Sequence, residues 1–83
     1  LTTLPDLPQS LTVLDCSYNQ LTTLPDLPDS LTELNCGGNR LTALPDLPQS
    51  LTVLHCYSNR LTPKAMQAVI EQQKIIGFSL ESI

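Results

Sequence analysis

Shifted by 20 residues, this sequence falls onto itself. Leu11–Ser30 reads LTVLDCSYNQLTTLPDLPDS, and Leu31–Ser50 reads LTELNCGGNRLTALPDLPQS. A half-copy, Leu1–Ser10, precedes them, and Leu51–Thr62 starts a further copy that never reaches its prolines. Identity this high at a fixed period restricts the chain to architectures in which each unit stacks on its neighbours. Within each full unit, Leu-Pro-Asp-Leu-Pro places two prolines three positions apart. Proline is excluded from helix interiors and central strands, so this part of every unit takes another path.

The aligned columns say which side chains go inside. Leu11, Leu31 and Leu51 share one column, and Leu14, Leu34 and Leu54 the next. Cys16, Cys36 and Cys56 follow, then Asn19, Asn39 and Asn59, then Leu21, Leu41 and Leu61, where Leu1 also fits. Leu4, Leu24 and Leu44 continue, with Leu7, Leu27 and Leu47. The pattern L-x-x-L-x-C-x-x-N-x-L is that of leucine-rich repeats, with Cys in the third core slot. Leu14 and Cys16 alternate with Val13, Asp15 and Ser17, which predicts a short strand over Val13–Ser17. Stacked copies give a short parallel sheet with strands about 4.8 Å apart. Each fully buried leucine contributes roughly 1.5–3 kcal/mol, and stacking is what buries it.

The remaining columns have structural roles in this frame. An amide donates and accepts at once, so the Asn column is expected to bind the backbone of its own turn and of the next coil. A 20-residue unit leaves no room for a returning helix. The prolines therefore predict a stiff, extended, polyproline-like return, with the leucines between them still reaching the core. A recruitment motif for proline-binding domains is the functional alternative. The row Asp6, Asp26 and Asp46 on that side reads as solvated turn residues.

These motifs resemble the LPX class of bacterial leucine-rich repeats, found in secreted effectors of the IpaH and YopM types. The resemblance rests on LPDLP, on the following Ser10, Ser30 and Ser50, on the 20-residue period and on the Asn column, over Leu1 to about Thr62. The segment NRLTPKAMQAVIEQQ is similar to the end of an IpaH-type array, where the last repeat runs into a short capping helix. The resemblance implies an interaction module, located in the host cytosol after secretion. In IpaH-type members the repeats select substrates for a ubiquitin-ligase domain with a catalytic Cys-x-Asp motif. No Cys-x-Asp occurs here, and Cys in the third core slot departs from the usual Leu, Val or Ile.

Thr62-Pro63 predicts a helix start, a hydroxyl N-cap followed by Pro in the first position. Met66, Val69 and Ile70 are expected on its apolar face, and Gly77 ends the helical region. Ile76, Phe78 and Leu80 alternate, which predicts a short strand or extended tail. The organisation expected is residues 1–62 as repeats, a fragment of a longer array, and 63–83 as a C-terminal cap with a helix over about 63–74. The start at Leu1, inside a repeat and without Met, is read as a piece of a longer chain.

Catalytic and metal chemistry find no constellation. Stacked cysteines would form a line about 5 Å apart, whereas zinc ligands converge on one point. Parallel in-register neighbours also suit disulfides poorly. Buried, reduced, core-filling thiols are expected. His55 and Cys56 are strand neighbours and point to opposite faces. Asp15 and His55 stand about 10 Å apart across a whole repeat. No cofactor is implied. The net charge is -4, and the four basic residues, Arg40, Arg60, Lys64 and Lys74, are scattered. Nucleic acid and anionic membrane are therefore not expected as partners.

The outward side chains are what vary. Val13, Glu33 and Val53 form one row, and Asp15, Asn35 and His55 the next. Ser17, Gly37 and Tyr57 follow, with Tyr18, Gly38 and Ser58 at the rim. The expected function is non-catalytic protein binding through this concave face, by Val13, Asp15, Tyr18, Glu33, Asn35, Val53, His55 and Tyr57. Aromatic residues dominate interface hot spots, and Asp15 and Glu33 favour a protein partner with a basic patch. The alternatives are the substrate-selecting part of a ubiquitin ligase, or a structural or designed scaffold without a partner. The first strand has only a half-copy before it, so edge-mediated self-association is expected.

Overall fold

The computed structural model describes residues 2–82. Leu1, expected beside Leu21, lies outside them. The element order is β1 (Val13–Asp15), β2 (Glu33–Asn35), β3 (Val53–His55), α1 (Pro63–Ile76) and β4 (Ser79–Glu81). The strands form one four-stranded sheet in the order β1-β2-β3-β4. All neighbours run parallel, with Leu14, Leu34, Leu54 and Leu80 in one register.

Period-2 alternation sends the Leu and Cys of each strand region inward. Leu34, Leu54, Cys36 and Cys56 are buried, as are Leu21, Leu31, Leu41 and Leu51. Leu11 and Leu14, at the N-terminal edge, are only half-buried because no strand precedes β1 among the described residues. The return segments form no regular element, yet Leu24, Leu27 and Leu44 pack against the core and Leu47 is buried in it. The second proline of each motif opens a turn. The Leu11, Leu31 and Leu51 amides donate back to the Pro8, Pro28 and Pro48 carbonyls at 3.2, 3.1 and 3.1 Å. Ser30 and Ser50 then donate to the Leu11 and Leu31 carbonyls one coil back, both at 2.6 Å.

The strand region is shorter than expected, three residues rather than Val13–Ser17. The reason is local. Asp15 draws the Ser17 amide to its carboxylate at 3.1 Å. Tyr18 then takes a left-handed conformation at φ 57°, Gly38 one at 70° and Ser58 one at 53°. The coils stay tied through the bend, because Tyr18 N donates to Gly37 O at 2.9 Å and Gly38 N to Tyr57 O at 3.0 Å.

The Asn column binds its own turn as expected, but the coil it reaches is the preceding one, not the next. Asn39 Nδ2 donates to the Cys36 and Gly37 carbonyls of its own turn and to Cys16 O behind it. Its Oδ1 accepts from the Asn19 and Leu21 amides. Asn59 repeats this on Cys36 O and Leu41 N. Among the described residues the Asn19 side chain bonds only to the Cys16 and Ser17 carbonyls of its own turn.

Helix α1 starts as its sequence dictates. Thr62 Oγ1 accepts from Ala65 N at 3.1 Å, with Pro63 in the first turn. It runs two residues past the expected end at 74, through Ile76. Gly77 closes it at φ 88°, where its amide donates to Gln73 O. Two expectations are corrected here. Ile76 belongs to the helix, not to the tail. Ile70 is 40% exposed rather than inward. Rotation about the axis turns Met66, Val69 and Ile76 toward the core, and Gln72 Oε1 accepts from Leu47 N at 2.9 Å. The tail resolves into a strand, β4, with Phe78 buried before it.

Candidate functional site: the open face of the sheet

Because alternate side chains of a strand leave on opposite faces, burying Leu14, Leu34 and Leu54 lifts their neighbours onto the open face. The register sets Val13, Glu33, Val53 and Ser79 in one row, and Asp15, Asn35, His55 and Glu81 in the next. Val13, Asp15, Glu33, Asn35, Val53 and His55 line one shallow hollow of about 180 Å³. Val13 is 52% exposed and Tyr18 75%. Of the eight residues read from sequence as the binding face, six thus share this hollow. Tyr57 and Tyr18 stand at its end, past the strands.

The tyrosines meet each other. Their rings lie 6.5 Å apart, tilted by 60°, and their hydroxyls are 3.5 Å apart. The His55 ring is 6.2 Å from Tyr57, so three rings stand in sequence. The middle coil makes room for them. A Cβ on Gly37 would fall 2.5 Å from Tyr57 Cζ, and one on Gly38 2.7 Å from Tyr18 Cδ1. Two bare backbone positions in one coil thus hold the rings contributed by the coils on either side. Gly38 also has the positive φ that favours glycine.

Asp15 is held in place beside them. Its Oδ1 accepts from Ser17 N at 3.1 Å and from Ser17 Oγ at 2.6 Å. Those bonds hold its carboxyl below the ordinary carboxylate value, since they favour the charged form. Asn35 makes the equivalent bond to Gly37 N at 3.1 Å. The hydrogen bond between the two hydroxyls raises the Tyr57 phenol.

The cysteines lie on the other side of the sheet. All three are free and buried. Cys16 and Cys36 thiols donate to the Asn35 and His55 carbonyls at 3.5 and 3.4 Å. Burial pushes the Cys36 thiol up to about 12, and raises Cys16 and Cys56 as well. Cys56 therefore faces the core while His55 faces the open hollow.

Three features of the face were not read from sequence. Ser79 and Glu81 join it through β4, which required knowing where the tail docks. The tyrosine pair was visible only as a small-for-large exchange, with Gly37 aligned to Tyr57 and Gly38 to Tyr18. The left-handed column was signalled by Gly38 alone, since Tyr18 and Ser58 gave no such sign.

The family described as Leucine Rich repeats (2 copies) matches residues 9–49. No curated protein matches the chain. The leucine columns, the parallel stacking of coils and this match together support a leucine-rich-repeat protein, and the four-stranded parallel sheet fits a solenoid.

Proposed function

We propose that the chain is a non-catalytic module that binds a protein partner through the open, concave face of its sheet. Leucine-rich repeats generally mediate protein–protein interaction. The observation that carries the reading is the contrast between the two sides of each strand. Leu and Cys recur without change on the inside. On the outside the same register offers Val13, Glu33 and Val53, then Asp15, Asn35 and His55. A constant frame with varied outward chemistry is what selective recognition needs. Asp15 and Glu33 suit a partner with a basic patch. The LPDLP of every full coil supports placing the repeats in the LPX class of bacterial secreted effectors. Helix α1 and β4 are read as the cap of the array.

The test is a comparative capture. The chain and a variant with Asp15, His55 and Tyr57 changed to Ala are used as bait, after circular dichroism shows that both fold. A protein retained by the first and lost by the second supports the face as the binding surface. Equal capture by both, or capture by neither, overturns it.

A further inference from the structure

We infer that the Tyr18–Tyr57 end of the open face is a receptor for an arginine side chain of the partner. This deepens the proposed function and rests on that reading of the face. Three observations carry it. The first is charge. The rows of the four strands carry Asp15, Glu33 and Glu81 and no lysine or arginine. The face therefore attracts cations and has no cation of its own to satisfy them.

The second is the carboxylate. Both Ser17 bonds land on Oδ1 of Asp15, and among the described residues no bond reaches Oδ2. An ionised group fixed in orientation, with an oxygen to spare, accepts a charge-assisted hydrogen bond at little entropic cost. The third is the aromatic wall. Tyr57 leans over Gly37, which brings its ring from the third coil across the second. That is within about one strand spacing, roughly 5 Å, of the coil that carries Asp15. Tyr18 and His55 flank it. Rings already held by their neighbours offer a surface to a cation without first being ordered.

A guanidinium fits this better than an ammonium. It is planar, stacks on an aromatic ring, is weakly hydrated, and donates from its edge while its face is covered. Its N–H groups would reach Asp15 Oδ2 and a phenol oxygen while its plane lies on Tyr57. The site thus takes arginine in preference to lysine.

The probe is the capped peptide acetyl-Gly-Arg-Gly-Arg-Gly-amide, titrated into the isotope-labelled chain and followed by NMR, beside its lysine and glutamate counterparts. The arginine peptide is expected to saturate and to move the Tyr18 and Tyr57 ring signals. The lysine peptide is expected to bind about three- to fivefold more weakly, and the glutamate peptide not at all. Asp15→Asn and Tyr57→Leu, both on the surface, are each expected to weaken the arginine peptide about fivefold. Equal binding of the arginine and lysine peptides, or saturation without movement of the ring signals, overturns the site. So does the absence of saturable binding. If that happens while the capture experiment still shows a partner lost from the Ala variant, the arginine site falls and the open-face reading stands.

Discussion

The hydroxyls of Tyr18 and Tyr57 stand 3.5 Å apart although 39 positions separate the residues in sequence. Neither reaches the other along its own coil. They meet because Gly37 and Gly38, between them in the stack, carry no side chains. The pair is a product of three coils, and it sets the shape of one end of the face.

Gly37 is the position to change first. A Cβ there would fall within 2.8 Å of three Tyr57 ring carbons, all at the far end of a side chain that can swing away. Gly37→Ala is therefore predicted to alter stability by no more than about 1 kcal/mol while separating the two rings. Denaturant titration measures the first effect, and the loss of ring-to-ring NMR contacts the second. Retained contacts would show that the glycine does not place Tyr57.

The Asn column predicts unequal costs for one substitution. Asn39 is buried and joins five backbone groups in two coils. Asn39→Ala leaves several of them unpaired, including the buried Leu21 amide, and should cost about 3 kcal/mol. Among the described residues the Asn19 side chain bonds only carbonyls of its own turn, so Asn19→Ala should cost about 1 kcal/mol. Urea unfolding of the two variants checks this. Equal losses would mean that the bonds between coils add little.

Alkaline pH probes the core. Cys36 has its thiol raised from 9.0 to about 12 by burial. The folded value lies above the unfolded one, so the thiol's contribution is intact below about pH 9. It is lost as pH rises toward about 12, because the unfolded chain ionises first. Stability against pH is predicted to fall across that window, and less steeply in Cys36→Ala. Superposable alkaline limbs for the two proteins would contradict the assignment.

Among the described residues the sheet has an open edge at β1, where Leu11 and Leu14 are half-buried while their counterparts in the second coil are buried. An unpaired edge backed by half-buried leucine invites pairing with another chain. Association that grows with concentration is predicted in sedimentation velocity runs. A single monomer boundary at millimolar concentration would rule it out.

The sequence by itself determined the repeating core. A 20-residue period and strand alternation fix which leucines and cysteines face inward, whatever lies around them. It also determined the limits of α1 in outline, because Thr62, Pro63 and Gly77 act through bonds to their own neighbours. Side-chain direction and capping are local, so they are legible in one dimension. The tertiary structure decided the rest. Packing of the helix left Ile70 exposed and brought Ile76 against the core, beside the Met66 and Val69 expected there. Pairing of β4 with β3 brought Glu81 beside His55, and stacking alone laid Tyr57 over Gly37. These outcomes depend on how much space a distant segment leaves, and that quantity is fixed only when the coils meet.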